Sequence, residues 1–529
     1  MHYKKNLIPL LCLIVIVLIN ACKKSSSGGG DIGTLSVSRA AIDLDTTAGF
    51  TDTLTIHSTL PWKATLSTGA SWCKLSMANG DAGDAVLTIT ILSNNGTATA
   101  QTGIITFTAT NGQASPVTVS LTQKAFPISS LLLGGTKWEF AYDVKKASDG
   151  GMIIVGSAQS ADGDLTNNQG AEDIMVAKLD ASGSKQWVKT LGGSASDYAN
   201  AVTPTTDGGY MVAGVTSSSN GDMPSNMGGG DIVVVKLDNA GNKLWVKTFG
   251  GSKSDEATSI IATSDGGYVL GGRTASTDGD ATGNHGNSDI IIIKLDASGN
   301  KQWAKVLGGT TNDLCGHLIA TADGGYALCG YSTSANGDIS SNKGSFDYLL
   351  MKLDASGNKV WDKTFGGSGS DYCRDLRVTT DGGYILTGYT ESTDGDVSNS
   401  HGSTDIWVVK TDAAGNKQWT KTIGGSQQDY SYCLTATPDG GCIIGGFSSS
   451  ADGDLTSNRG LVDLLAIKIN AAGNSQMIRT YGGSKDEEPM AIIPFASGRY
   501  VFAGYSASSD GNGGSNHGGY DAWVLNLPF

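Results

Sequence analysis

Short runs rich in Val, Ile, Thr and Tyr, alternating or continuously apolar, recur along this chain between polar turns built on glycine. After Gly192-Gly193 comes the run Tyr198–Thr205, "YANAVTPT", then Asp207-Gly208-Gly209, then Tyr210–Ser217, "YMVAGVTS". A polar stretch, Ser218 to Gly230, leads into Asp231–Asp238, "DIVVVKLD"; Asn239-Ala240-Gly241-Asn242 then precedes Lys243–Gly250, "KLWVKTFG". This patterning predicts four strands, and the Asp-Gly and Ala-Gly steps supply the positive φ of tight antiparallel turns. The Gly-Gly pairs that close the fourth run begin at Gly134, Gly192, Gly250, Gly308, Gly366, Gly424 and Gly482, each 58 residues after the one before. A period without drift over seven copies requires every copy to occupy an equivalent place. No stretch shows a helical period. Four antiparallel strands per copy fit the blade of a β-propeller better than the coil of a solenoid.

The seventh copy stops at Phe529, after its third strand "YDAWVLNL", while Ser129 to Gly135, "SSLLLGG", reads as a fourth-strand ending with no blade before it. The strand near 129–135 is therefore expected to complete the last blade, closing the ring and removing an exposed sheet edge. Two columns support the ring. Trp187, Trp245, Trp303, Trp361 and Trp419 recur in the fourth strand, with Met477 in the sixth copy; regular recurrence predicts blade-to-blade packing rather than a sugar platform. Ala141, Ala199, Ala257, Cys315, Cys373, Ser431 and Pro489 are small where innermost strands crowd the axis. The string Leu295–Trp303, "LDASGNKQW", resembles the D-x-x-T-G-x-x-x-W signature of quinoprotein-type propeller repeats. "DGGYxxxG" and "GGSxxDYA" are similar to propeller repeats of secreted Bacteroidetes proteins. The resemblance covers Ser129 to Phe529 and implies a fold, without residues reserved for a quinone and without a sialidase-type Asp-box.

Residues Thr34 to Ala125 lack the period but alternate in "LSVS", "TLTIH", "AVLTITIL", "GIITFTAT" and "VTVSLTQ", which predicts a small Ig-like β-sandwich. Pro61-Trp62, Ser71-Trp72-Cys73, Gly80, Asn94-Asn95, Gly103 and Leu121-Thr122-Gln123 resemble the BACON domain of Bacteroidetes proteins, with Gln101-Thr102 where that family often has Arg. The resemblance implies a carbohydrate- or mucin-binding module or a spacer. Trp62 and Trp72 read as sandwich core, with a sugar-stacking pair as the alternative. The expected fold is thus all-β, a sandwich over 34–125 and a closed seven-bladed propeller over 126–529, joined at Phe126.

Lys4 and Lys5 precede the apolar run Leu7 to Ile19, which is short for a membrane span and suits a signal-peptide core over residues 1–21. Ile19-Asn20-Ala21-Cys22 resembles the bacterial lipobox, which implies lipidation of Cys22, with an ordinary secretory peptide as the alternative. Residues 22–33, including "KKSSSGGG", form a flexible tether by composition. An outer-membrane lipoprotein is expected. Lys23 and Lys24 stand where surface-exported lipoproteins carry acids, so the membrane face is left open. Six further cysteines (Cys73, Cys315, Cys329, Cys373, Cys433 and Cys442) show neither a CxxC nor a metal-ligand spacing. The formal charge of −14 opposes contact with phosphate backbones, so nucleic acid is not an expected partner.

The long loops carry Asp/Asn-Gly-Asp (Asp510-Gly511-Asn512 in the seventh copy), then usually Asn, then Gly, then Asp. Examples are Asp162, Asp164 and Asp173 in the first copy and Asp278, Asp280 and Asp289 in the third. These side chains are calcium candidates by type, or cap their own backbone as Asx-turns; no cofactor is expected. Glu139, Asp197, Asp255, Asp313, Asp371, Asp429 and Glu487 open the innermost strands, where turn capping or cation attraction are the readings. His285, His401 and His517 share one loop position in alternate copies, too far apart for a metal trio. Function breaks symmetry, and the innermost strands differ most just after the small residue. There stand Tyr142, Asp143 and Lys145; Asn200, Ala201 and Thr203; His317; Arg374, Asp375 and Arg377; and Tyr432 and Cys433. An ionic and aromatic lining on one sector of the channel is a candidate site for a polar ligand, against drift at solvated positions. Nearly every carboxylate has seven-fold copies, which argues against a glycosidase pair, and no nucleophile triad, phosphate loop or zinc motif is present. The expected function is non-catalytic capture of a glycan or glycoprotein. The alternatives are a scaffold for envelope proteins and a polysaccharide-active enzyme using Asp375 or His317.

Overall fold

The computed structural model describes residues 33–44, 51–92, 100–123, 129–455, 458–496 and 498–529. The signal segment, Cys22 with most of the tether, Asn94-Asn95 and the joint at Phe126 lie outside the described residues. The chain forms two compact units, one within the first 128 residues and one over Ser129–Leu527.

In the first unit, alternating residues of two sheets face a common core. One sheet orders Leu35–Val37, Thr51–Ser58, Gly83–Ile91 and Cys73–Leu75; the other orders Ala41–Leu44, Val117–Gln123, Gln101–Ala109, Trp62–Leu66 and Asn79–Gly80. Leu54, Ile56, Leu87 and Ile89 meet Ile105, Phe107, Val119 and Leu121 between them, as a sandwich requires. Trp62 is fully buried, edge-on to Phe107 with centroids 5.8 Å apart, and Trp72 is buried beside it in the same core. A Cβ on Gly80 would meet the Trp62 indole at 2.5 Å, so the indole itself demands glycine there. Neither indole offers a stacking face, and the sugar-stacking alternative for this pair gives way to core packing.

The second unit holds seven four-stranded antiparallel sheets. Blade 1 comprises Glu139–Lys146, Met152–Ala158, Asp173–Leu179 and Lys185–Leu191, from the inner to the outer strand. Blades 2 to 6 repeat this order, with inner strands Asp197–Pro204, Asp255–Ala262, Asp313–Ala320, Asp371–Val378 and Asp429–Ala436. Blade 7 takes Glu487–Ala496, Arg499–Ser506 and Asp521–Pro528 from the end of the chain and its outer strand, Ser129–Leu133, from the start of the unit. The closing pair runs from Ser129 opposite Asn526 to Leu133 opposite Ala522, and the Trp523 indole N–H donates to Ser130 Oγ at 2.7 Å. Each inner strand contacts that of the next blade, and that of blade 7 contacts that of blade 1, so the ring is closed. Hydrophobic clusters lie between neighbouring blades; one joins Val501, Ala503 and Val524 of blade 7 to Ala141, Ile154 and Met175 of blade 1.

The recurrent sequence features are the joints of this ring. Trp187, Trp245, Trp303, Trp361 and Trp419 each lie against a turn glycine of the following blade: Gly241, Gly299, Gly357, Gly415 and Gly473. That glycine has φ between +75° and +83° in all five turns, and a Cβ there would come within 2.3–3.1 Å of the indole. The outer strand of blade 7 arrives from elsewhere in the chain, so no such turn faces blade 6, and Met477 replaces Trp. In blades 1 to 5 a buried lysine of the third strand reaches the aspartate of the Asp-Gly turn, as Lys236 does to Asp207 at 2.7 Å and Lys294 to Asp265 at 2.8 Å.

Candidate functional site

Every inner strand carries a β-bulge directly after its small residue. In blade 1 the register steps from Ala141 opposite Gly156 to Asp143 opposite Val155, leaving Tyr142 unpaired. The same step frees Asn200, Thr258, Gly316, Arg374, Tyr432 and Met490 in the other blades. A bulge bends its strand and re-aims its side chains. The opposing strand answers with glycine at this register in all seven blades. At Gly156 a Cβ would lie 1.8 Å from the Phe140 carbonyl oxygen. The bulged strands surround an axial cavity of about 390 Å³, lined by residues of all seven blades. All eight sequence candidates line it: Tyr142, Asp143 and Lys145; His317; Arg374, Asp375 and Arg377; and Tyr432. Asn200, Ala201 and Cys433 join them. Glu256, Arg273 and Tyr331 also line the cavity and were missed. Glu256 was detectable, as one of two acids, with Glu488, in a column otherwise made of Phe140, Tyr198, Leu314, Tyr372 and Tyr430.

The lining has two tiers. Towards the short turns, Asp143 and Asp375 act as staples between blades. Asp143 Oδ2 accepts the Val202 N–H of blade 2 at 2.9 Å, and Asp375 Oδ2 accepts the Leu434 N–H of blade 6 at 2.8 Å. Their second oxygens accept the N–H of Val144 and Leu376, each at 2.8 Å, and bind the cations of Lys145 (2.5 Å) and Arg377. Ser259 holds the same column in blade 3 and exchanges bonds with the Leu318 backbone. Burial pushes the Asp375 carboxyl up, against the pull of Arg377 and these N–H groups. His317 Nδ1 lies 3.5 Å from Asp375 Oδ1; burial, then Arg377 and Lys145, hold its pKa well below the usual imidazole range, so it is neutral at pH 7.

Towards the loop face the lining is aromatic. Arg374 lies 5.3–5.5 Å from the ring centroids of Tyr331, Tyr389 and Tyr432, and its Nη2 donates to Tyr389 Oη at 2.9 Å. Across the mouth Glu256 pairs with Arg273 at 2.6 Å and accepts the Asn200 amide at 2.9 Å. Burial pushes the Tyr432 hydroxyl up to about 12, so it stays a neutral donor and acceptor.

The seven-fold acids lie outside this cavity. Asp197 is fully buried and accepts the Gly193 N–H at 2.8 Å and the Ser218 hydroxyl at 2.7 Å; its column caps the Gly-Gly connections. The calcium candidates are engaged likewise. Asp162 accepts the Thr136 N–H and hydroxyl, and Asp278 the Ser252 N–H. Asp164 and Asp280 accept the N–H of Gly134 and Gly250 and pair with Lys185 and Lys301. Asp173 and Asp289 accept the N–H of Gln169 and His285. Among the described residues no group of three or more His, Cys, Asp or Glu side chains could hold a metal ion.

The loop column does have a pH signature. Asp173, Asp231, Asp289, Asp347, Asp405, Asp463 and Asp521 are fully buried, and each has one carboxyl oxygen, Oδ1, without a hydrogen-bond partner. Burial, reinforced by nearby acids, pushes Asp173 and Asp347 up to about 6 and raises Asp231, Asp289, Asp463 and Asp521. A carboxyl raised by folding binds its proton before the unfolded chain does, so its stabilising effect is full below about 4 and is lost as pH rises through about 6. The lysine-paired turn acids work the other way: hydrogen bonds from Lys236 and Thr205 lower Asp207 to about 2, and stability is lost only below about 4. The melting temperature is therefore expected to rise from pH 7.5 to about 4.5 and fall below it. Asp347→Asn is expected to stabilise at pH 7.5 and to flatten the slope. A steady fall in melting temperature between pH 7 and 5 would contradict this assignment.

Residues 62–124 match the family model BACON, described as "Putative binding domain, N-terminal". Over those residues the first unit is similar to the BACON family. A stretch of 166 residues is 30% identical to the "Regulatory protein FlaEY" of Caulobacter vibrioides (strain ATCC 19089 / CIP 103742 / CB 15), covering 29% of this chain. The chain spans about 17% of the length of that curated relative. Among solved structures, the Neurospora crassa Pan2 WD40 domain is similar over 76% of this chain and 96% of its own, with a TM-score of 0.38 and 10% identity. Cobalt-substituted Synechocystis apocarotenoid oxygenase is similar over 75% and 96%, with a TM-score of 0.36 and 12% identity.

Proposed function

We propose that the axial cavity binds a glycan, free or on a glycoprotein, without turning it over, in a lipoprotein held at the outer membrane through Cys22. The observation that carries this reading is a division of labour. Acids repeated in every blade are consumed by the frame, while the side chains that break the symmetry converge on one cavity. Tyrosine faces suit the C–H faces of a sugar ring, and the Asn200 amide and the Glu256–Arg273 pair are planar groups suited to its hydroxyls. A volume of about 390 Å³ falls at the small end of ligand sites, enough for one or two sugar rings. A glycosidase needs two carboxylates free to trade protons; both oxygens of Asp143 and Asp375 are occupied by backbone N–H groups and cations, which favours binding over hydrolysis. The description of the BACON family as a binding domain agrees with a capture role.

Purified protein in detergent, applied to an array of host and dietary glycans, is expected to bind a restricted set. Tyr432→Ala should weaken that binding at least tenfold with little change in melting temperature. Binding to no glycan overturns the reading in favour of the envelope scaffold, which predicts co-purifying envelope proteins instead. Release of reducing ends from a bound polysaccharide would favour the enzyme.

A further inference from the structure

We infer that the cavity selects sugars bearing a carboxylate, such as uronic or sialic acids, and that Arg374 receives that group. The inference rests on the glycan-binding reading and narrows it. Its ground is the charge balance of the lining. The cavity is lined by four basic side chains other than histidine, Lys145, Arg273, Arg374 and Arg377, and by three carboxylates, Asp143, Glu256 and Asp375. Each carboxylate already has its cation: Lys145 with Asp143, Arg273 with Glu256, Arg377 with Asp375. Arg374 is left over. Among the described residues its single hydrogen bond goes to the Tyr389 hydroxyl, and its Nε is buried without a partner. His317, neutral at pH 7, adds no further charge.

A cage of tyrosine faces attracts a guanidinium but leaves its charge uncancelled. A cation withdrawn from water without a counter-ion is unfavourable, and an arriving anion relieves that cost. Arg374 also stands at the bulge, where the other blades carry Tyr142, Asn200, Thr258, Gly316, Tyr432 and Met490, so it is the one charged side chain among the seven bulge positions. Glu488 of blade 7 makes no ion pair with Arg374; the Tyr505 hydroxyl donates to it at 2.6 Å. The planar fork of arginine matches the two oxygens of a carboxylate, and the Tyr432 ring and Asn200 amide in the same tier are placed to take the sugar that carries it.

The test compares galacturonate, galactose and galactose 6-sulfate by titration against the whole protein and its Arg374→Gln and Arg374→Lys variants. Galacturonate is expected to bind at least tenfold more tightly than galactose. That preference should disappear in Arg374→Gln and return in part in Arg374→Lys. Retained galactose binding by Arg374→Gln shows that the variant is folded. Equal binding of galacturonate and galactose, an unchanged preference in Arg374→Gln, or tighter binding of the sulfate overturns the carboxylate assignment while leaving the glycan site standing. Binding of none of these sugars, and of no array glycan, removes the glycan reading and this inference with it.

Discussion

Deleting Ser129–Leu133 is expected to abolish the single cooperative unfolding of the propeller and to leave a chain that self-associates. Five consecutive residue pairs join this strand to Asp521–Pro528. Leu133 is fully buried among Ala141, Ala522 and Val524, where blade 7 meets blade 1. Losing one buried leucine costs about 2–5 kcal/mol, and the deletion also unpairs the backbone of Asp521–Pro528 and exposes it as a sheet edge, a template for association. Calorimetry and light scattering read both effects. The converse variant, Leu131→Cys with Val524→Cys, places cysteines on directly opposed residues. It should raise the melting temperature, because a loop this long is constrained by up to ~5 kcal/mol in the chain-entropy model. A deletion that melts like the parent would show that the ring does not depend on this strand.

Asp375→Ala is expected to lose about 3–5 kcal/mol of stability, the range for breaking a buried charge pair from one side. The substitution leaves the N–H groups of Leu376 and Leu434 without their acceptor and Arg377 without its partner. Asp143→Ala should behave alike, since Asp143 makes the same bonds to Val144, Val202 and Lys145. Asp375→Asn keeps an acceptor for the Leu434 N–H and should cost less than half as much. Denaturant unfolding measures all three. A residue serving only as an acid or base would leave stability unchanged, and that outcome would reopen the enzyme reading.

The period, the strand order and the closing strand were legible because a constant 58-residue spacing allows one arrangement only. Gly241 and Trp187 illustrate the gain from structure: each recurs visibly, but their contact across blades explains both columns together. The bulged residues themselves carry no common mark, because Tyr142, Arg374 and Met490 share no side-chain type; the bulge is a backbone event, and only the small residue before it and the glycine opposite it recur. Without it the partner of Asp143 could not be found, since the bond runs to Val202, 59 residues on rather than 58. The site was therefore legible as a set of symmetry-breaking positions along the inner strands. Arg273 and Tyr331 stayed hidden because they belong to second strands, and only the pairing of Glu256 with Arg273 and of Leu314 with Tyr331 brings them to the mouth.

Hydrogen exchange with and without a bound glycan tests the central claim most directly. Slowed exchange is predicted in the bulged segments around Tyr142–Lys145, Arg374–Arg377 and Tyr432–Cys433, with no change in the loops around Asp162–Asp173 or in the sandwich. Protection confined to residues 62–124 or to the outer strands would place binding elsewhere and contradict the account.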